Sequence, residues 1–554
     1  NIEKINYEDG QVFNLLSSGK TVGLFQLESS GMKDALVNMK PNRLEDIIAL
    51  VALYRPGPMS NITTYNECKH GKRKPDYLHP KLEQILKPTY GVIIYQEQVM
   101  QIAQVLSGFT AGEADILRRA MGKKKRLELE KQKQRFVDGA FKNGISKDIA
   151  AGIFLKIEPF AEYGFNKSHA AAYAVIAYQT AYLKSYYPHE FFVASMSMEL
   201  SNQKKLSEFY DELKRLDIPV IRPDINKSQA NFFSDGKIFY YALGAIKNVG
   251  YEAISNVINE RLKNGDFKNL SDFINRINPK DINKLQLEGL VKAGAFDKIL
   301  SNRQSLFNSI PNVILRSKNF HENKIVNQID LFSDEIENYN EFINKCDDWN
   351  LDTKLSKEFE TLGFFISDHP LNQYKSLFKT YEIVSYNEFK NNDVLLDSNI
   401  ACTILKIQEK KTQKGSSYAI VKFSDLSDTF ELFIFSDVFE LNRDLFYEGN
   451  SIMITVVKNL INEKTRQFKV NVKKILSLKD VINRSLKDIT FEFSNFTELS
   501  VLKSLSKENA KTKIKFIIND NQRKLFFELK DRRYIDQKII NSLNLGQNIL
   551  DEYK

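Results

Sequence analysis

The densest charge in the sequence lies in "RRAMGKKKRLELEKQKQR" (118–135), with nine basic residues against two acidic ones. Arg118 and Arg119 precede a Met-Gly break, and Lys123, Lys124, Lys125 and Arg126 follow it. Cations clustered at a helix junction can neutralise phosphates, although a charge run alone is more often a solvated helix face. Two other segments favour the phosphate reading. In "YGFNKSHAAAYAVIAYQ" (163–179) Asn166 and Ser168 are N-cap types ahead of a long helix. Lys167 and His169 then sit near its N-terminus, where free backbone N–H groups and the helix dipole attract anions. In "ALYRPGPM" (52–59) Pro56 and Pro58 stiffen the backbone after Arg55, which suits holding one guanidinium in place; the plain alternative is a helix-ending turn.

Three further segments carry binding chemistry. "GAIKNVGYEAISNVI" (244–258) has the pattern of a helix-hairpin-helix, in which backbone N–H groups meet a DNA phosphate. Gly250 is in place beside Lys247, but Asn248 stands where a second Gly is expected; Asn tolerates the left-handed conformation that the turn needs. "EKKTQKGSS" (409–417) carries Lys410, Lys411 and Lys414 ahead of Tyr418 and Phe423, the ingredients of a groove for single-stranded nucleic acid. In "QIDLF" (328–332) Gln328, Ile329, Asp330, Leu331 and Phe332 form an isolated apolar knot within polar flanks, suited to docking in an apolar cleft of a partner. A satellite helix turn is the bland reading. No Walker loop, nucleophile elbow or zincin motif occurs. Asp46, Glu97 and Asp115 lie on helical patterns near the cations and could pair with them as easily as bind Mg²⁺, so no residue is assigned to a metal.

The elements that must position these groups change along the chain. Residues 1–230 are mostly helical in period, as in "LEDIIALVALY" (44–54) and "EQVMQIAQVL" (97–106). Residues 231–320 read as strand, turn and helices. Residues 321–395 read as a connecting segment that carries the 328–332 peptide, polar, acidic and exposed over 320–350. Five β-branched and aromatic runs with a helical insert at 436–449 predict a barrel of OB type over 396–478, and 479–554 reads as a small α/β end domain. The 554 residues suit several domains. With 42% hydrophobic and 27% charged residues they exclude wholesale disorder or a fibrous repeat. Net charge is +9, from 79 Lys and Arg against 70 Asp and Glu. Cys68, Cys346 and Cys402 are too few and too scattered for a disulfide scaffold or zinc finger, which fits a reducing, cytoplasmic setting. No apolar run is long enough to span a membrane. The chain opens with Asn1 and no signal peptide precedes the first motif, as expected of a piece of something longer.

"GLFQLESSGMKD" (23–34), "ALVALYRPGPM" (49–59), "YGVIIYQEQVMQIAQVLSGFT" (90–110), "ADILRRAMGKKK" (114–125) and "YGFNKSHAAAYAVIAYQT" (163–180) together resemble the bacterial replicative polymerases of family C, the DNA polymerase III alpha subunits. The resemblance is densest over 20–200. It continues through "GFFISDHPLNQY" (363–374) and the later segments by position and pattern. It implies the C-terminal half of such a subunit: fingers, helix-hairpin-helix region, clamp-binding peptide, OB domain and tail. The palm with its catalytic aspartates has no matching positions, so the resemblance assigns no catalytic residue and leaves the two Mg²⁺ ions to that missing part. It implies dNTP substrates facing Arg118, Arg119, Lys167 and His169, with Arg55 nearby. It also implies primer-template DNA, a sliding clamp bound at 328–332, the clamp-loader tau subunit at the tail, and a proofreading subunit through the absent N-terminal domain. The alternatives are a non-catalytic DNA- and clamp-binding protein or, far behind, an unrelated helicase or ligase accessory with an OB fold.

Overall fold

The structure is a computed structural model. It describes residues 1–554 except 123–125, 326–342, 393, 412–414, 463–466, 485–487, 494–498, 500–504, 509, 521–522, 537–538, 540–548 and 554. The chain divides into two compact units, Asn1–Val220 with Phe232–Phe239, and Ile221–Asn231 with Tyr240–Lys554.

The first unit is mostly helical, and two of its cores bear on the site. Helices Gly10–Ser17, Ser30–Met39, Leu44–Leu53 and Lys167–Tyr186 enclose one, which includes Leu16, Leu36, Leu50 and Tyr178. Lys167–Tyr186 buries Ala170, Ala174, Ala177 and Ala181, one small residue per turn, so it can lie close against Leu44–Leu53. Helices Gln96–Ser107, Ala111–Gly122, Arg126–Lys142 and Lys147–Tyr163 enclose the other core around Phe136 and Phe154, whose rings meet edge-on at 5.5 Å. A two-way backbone staple joins the bundles: Phe165 N–H donates to Ile94 O and Gln96 N–H to Phe165 O, each at 3.0 Å. Buried Gln98 fixes the same turn. Its oxygen accepts from the N–H groups of Ile94 (2.8 Å) and Tyr95 (3.0 Å), and its amide donates to Thr89 Oγ1 (2.8 Å). The N-termini of Gln96–Ser107 and Lys167–Tyr186 are thereby held side by side.

Two buried ionic clusters, around Lys184 with Glu212 and around Asp46, stiffen this unit. Lys184 Nζ donates to Lys20 O (2.9 Å), Val22 O (2.8 Å) and the equally buried Glu212 (2.7 Å). Burial lowers its pKa to about 8, against the pull of Glu212. Asp46 accepts from Lys69 (2.7 Å), Tyr65 Oη (2.9 Å), Asn42 N–H (3.1 Å) and Arg43 Nε (3.2 Å). Burial alone would raise the Asp46 pKa, but these donors hold it below its ordinary value.

The second unit begins with helices Tyr251–Asn264, Leu270–Arg276, Lys284–Lys292, Arg303–Ile325 and Leu351–Leu362. The exposed connection expected over 320–350 is corrected at both ends. The helix runs on to Ile325, and residues 343–349 are strapped to it. Ser309 Oγ accepts from Asn344 N–H (2.7 Å), Asn302 donates to Cys346 O (2.7 Å), and Trp349 packs on Phe307 at 5.4 Å.

Strands β1 (Asp397–Lys411), β2 (Ser417–Ser424), β3 (Thr429–Ile434), β4 (Ser451–Asn462) and β5 (Gln467–Ser477) form an antiparallel sheet in the order β3-β2-β1-β4-β5. The helix Ser436–Leu441 lies between β3 and β4 in sequence. Long β1 pairs with β4 along its first half and with β2 along its second, around a core containing Ile400, Cys402, Val421 and Phe423. A closed OB barrel was the expectation. Among the described residues no ladder joins β3 to β5, so the sheet is open there. Side chains span that edge instead: the Lys469 ammonium lies over Phe433 (5.9 Å) and Phe435 (4.9 Å). The tail contributes β6 (Asp488–Phe493), β7 (Lys513–Asp520), β8 (Arg523–Glu528) and β9 (Ile549–Tyr553) in the order β8-β7-β6-β9, with β6 and β7 parallel. Among the described residues no helix is long and apolar enough to cross a membrane.

Candidate functional site

The junction made by the Ile94–Phe165 staple gathers the cations singled out in the sequence. Arg55 lays its guanidinium over the Phe165 ring at 3.5 Å and has no ion pair among the described residues. His169 packs against Phe165 (5.3 Å) and Tyr173 (4.6 Å). The Lys167 ammonium stands 5.6 Å from the Tyr95 ring centroid. Arg118 donates to Asp115 Oδ1 through Nε (2.9 Å) and Nη2 (2.7 Å), and its Nη1 reaches Gln96 Oε1 at 3.4 Å. Arg119 takes the other Asp115 oxygen at 2.7 Å. The hydrogen bonds from Arg118, with both positive charges, hold the Asp115 carboxyl below its ordinary pKa. One carboxylate thus orders two guanidiniums and leaves a net positive charge. Arg119 remains 65% exposed and Arg118 26%, so both can still meet a ligand.

One part of the expected anion site is corrected. Two of the N–H groups at the start of Lys167–Tyr186 are already taken. Lys167 N–H donates to both Glu97 oxygens (3.0 and 3.1 Å), and His169 N–H to the Asn166 side chain (2.8 Å). Glu97 also accepts from Asn166 Nδ2 at 2.9 Å. With those two donors occupied, the side-chain cations are the larger part of what remains for a phosphate. Beside them opens a cleft of about 580 Å³ lined by Gln26, Glu28, Tyr54, Arg55, His169 and Tyr173 among others. Arg118, Arg119 and Lys167 do not line it.

Asp46, Glu97 and Asp115, the carboxylates near the cations, do not converge on one point. A two-metal centre needs such convergence, whereas Asp46 is sealed among Lys69, Arg43 and Tyr65, Glu97 caps a helix, and Asp115 holds two arginines. No group of three or more candidate ligands gathers among the described residues.

In the second unit the loop before helix Tyr251–Asn264 presents Lys247, Asn248 and Gly250 to solvent. Asn248 adopts φ +69°, the left-handed conformation that the missing Gly would have taken. Lys247 N–H donates to Thr361 O at 3.0 Å and Val249 N–H to Ile246 O at 3.0 Å. The N–H groups of Asn248 and Gly250, on either side of buried Val249, have no partner among the described residues, so two donors remain on exposed residues. Gly289 lets helix Lys284–Lys292 approach this loop, since a Cβ there would stand 2.7 Å from Lys247 O.

The family profile of the bacterial DNA polymerase III alpha subunit finger domain matches residues 1–144, and that of a helix-hairpin-helix motif matches 217–306. The chain is 42% identical over 455 residues to the DNA polymerase III subunit alpha of Caulobacter vibrioides, covering 82% of this chain and 40% of the relative. It is 40% identical over 544 residues to that of Rickettsia prowazekii (91% and 46%), and 36% over 488 to that of Vibrio cholerae (86% and 42%). The chain belongs to the DNA polymerase III alpha subunit family. It spans less than half the length of these curated relatives.

In this family member the cation junction lies partly inside the matched finger domain, with Arg55, Arg118 and Arg119 within 1–144, while Lys167 and His169 reach it from the helix beyond. The Asn248 loop lies inside the helix-hairpin-helix match. In the open sheet Lys410 and Lys411 are exposed on β1, and Lys410 pairs across to Tyr418. Phe423 is corrected as a stacking candidate: alternation along β2 turns it fully into the core against Phe430. Tyr418 faces outward and stacks on Phe433 at 4.7 Å, and Phe433 meets Phe435 at 5.1 Å under Lys469. Sequence reasoning missed Phe433, Phe435 and Lys469, because only strand register brings them beside Tyr418. It also left open what Glu97 and Asp115 do. Lys123, Lys124, Lys414 and the peptide Gln328–Phe332 lie outside the described residues.

Proposed function

We propose that this chain supplies the fingers, helix-hairpin-helix region, clamp-binding peptide, OB-type sheet and tail of a template-directed DNA polymerase subunit. The observation that carries the proposal is the gathering of Arg55, Arg118, Arg119, Lys167 and His169 around one stapled junction, in a chain of this family. In the proposed reaction the primer 3′-oxygen attacks the α-phosphorus of a dNTP and pyrophosphate leaves. Arg118, Arg119 and Lys167 receive the charge that develops on the β- and γ-phosphates, ordered beforehand by Asp115, Gln96 and Glu97. Arg55 and His169 hold the nucleotide at the cleft. Two Mg²⁺ ions are assigned to carboxylates of a palm domain outside this chain.

DNA contacts are proposed at Lys123, Lys124, Lys247, Asn248, Gly250, Lys410, Lys411 and Lys414. The two unpartnered N–H groups of the Asn248 loop support a phosphate contact. A sliding clamp is proposed to bind Gln328–Phe332, where burying Leu331 and Phe332 contributes roughly 3–6 kcal/mol gross. The tail is proposed to dock a clamp-loader tau subunit, and the protein to work in the cytoplasm; a proofreading subunit is proposed to join through residues outside this chain. The test is primer extension with Mg²⁺ and dNTPs. The 554 residues alone are expected to add no nucleotide, and the full-length subunit to extend the primer. Steady incorporation by the 554 residues alone would contradict the assignment of the metal ligands.

A further inference from the structure

Gln26 is held in a conformation that its side chain disfavours. Its φ is +63°, a region favoured by glycine and tolerated by Asn. The turn around it leaves no slack. Leu24 and Leu27 are buried on either side, Thr21 Oγ1 donates to Leu27 O (2.7 Å), Gly23 N–H donates to the Glu28 carboxylate (3.2 Å), and Phe25 N–H donates to Thr180 Oγ1 (3.3 Å). Phe25 also packs on Tyr173 at 5.4 Å. None of this uses the Gln26 side chain. It is exposed, and its carboxamide has no partner among the described residues. Glycine would make the same turn without strain. Among the described residues six other non-glycine residues have positive φ, namely Lys40, Leu78, Tyr90, Asp217, Asn248 and Glu382, and none of them lines the cleft. Gln26 does, together with Arg55, His169 and Tyr173. Strain kept where the fold does not need it points to a use for the side chain itself.

The cleft offers rings for stacking and a cation for a phosphate. Gln26 adds an exposed carboxamide that both donates and accepts and has no partner among the described residues. Every base pair presents an acceptor on its minor-groove edge, so one neutral donor can check any correctly formed pair without reading its identity. We propose that Gln26 is a specificity-determining residue, whose carboxamide donates to the minor-groove acceptor of the base held at this cleft. This rests on the polymerase reading above.

The test uses the full-length subunit with Gln26→Gly and Gln26→Asn. Gln26→Gly is expected to raise the Tm, because strain is relieved, and to lower the ratio of correct to mismatched incorporation about three- to tenfold, as loss of one neutral hydrogen bond implies. Gln26→Asn, which tolerates the conformation but reaches less far, should fall between. A 3-deazapurine, which lacks the acceptor, placed in the incoming nucleotide or in the template locates the base: the position at which wild type and Gln26→Gly become equal is the one contacted. A lowered Tm in Gln26→Gly would overturn the strain argument, and wild-type discrimination would overturn the assigned role. Arg118→Ala run alongside separates the two levels. If it slows addition while Gln26→Gly discriminates normally, only the inference fails; if neither has any effect, the polymerase reading of this junction fails as well.

Discussion

The helical finger junction and the open five-stranded sheet both set cations beside aromatic rings, but they hold them differently. At the junction nearly every group has a second restraint. Arg118 and Arg119 share Asp115, Arg55 lies on Phe165, and the start of Lys167–Tyr186 is tied to Glu97, over a turn fixed by buried Gln98. On the sheet Lys410 and Lys411 project from a strand into solvent, and the aromatic run Tyr418–Phe433–Phe435 is held by strand register at Tyr418 and Phe433 and by ring contacts under the Lys469 ammonium. Groups that must meet developing charge at a set position need prepaid orientation. Groups that stack any base along a strand do not.

If that contrast is right, the largest effects belong to the framework of the finger unit. Lys184→Ala leaves Glu212 buried without its main partner and should cost about 3–5 kcal/mol, read as a fall in Tm with the second unit's transition little changed. Asp46→Asn should cost about 2 kcal/mol. Its pH dependence has a definite sign. The folded carboxyl lies below its ordinary value of 3.8, so its stabilisation is present above that pH and is lost as pH falls through the folded value. Acid unfolding followed by circular dichroism should therefore be flatter in Asp46→Asn than in wild type; equal slopes would remove Asp46 from the framework.

The sheet should respond more weakly. Tyr418→Ala or Phe433→Ala in the whole chain should lower affinity for a single-stranded oligonucleotide by about 1–3 kcal/mol per stacked base, and binding should weaken with salt. Affinity unchanged by either substitution would leave the ring pair as packing. The smallest effect is expected at Lys131→Ala, an exposed cation on helix Arg126–Lys142 with no partner among the described residues. Nucleotide addition should change less than about twofold there, within 0.5 kcal/mol.

Legibility follows the same contrast. Helix caps and small-residue periodicity are local, so Asn166 as the cap of Lys167–Tyr186 and the alanine stripe behind it could be read from "FNKSHAAAYAVIA". The left-handed turn at Asn248 followed from residue type alone. What failed required knowing which side chain occupies a site first. The helix N-terminus looked open to an anion because Glu97, some seventy residues away, gives no local sign of reaching it. Tyr418 and Phe423 could not be assigned to opposite faces without the sheet's register, and the strap at 343–349 depends on contacts back to Ser305 and Ser309. The strain at Gln26 is invisible in sequence, because nothing in "GLFQLES" demands a positive φ at that position.

The central claim is that the stapled junction, not the basic run as a whole, meets the triphosphate. Single-turnover nucleotide addition by the full-length subunit tests it most directly, comparing Arg118→Ala and Lys167→Ala with Lys131→Ala at saturating primer-template. Loss of one charge-assisted contact should slow addition about ten- to a hundredfold at Arg118 and at Lys167, with Lys131→Ala near wild type. Equal, small losses at all three positions would mean that the charge acts as a diffuse patch, and would contradict the account.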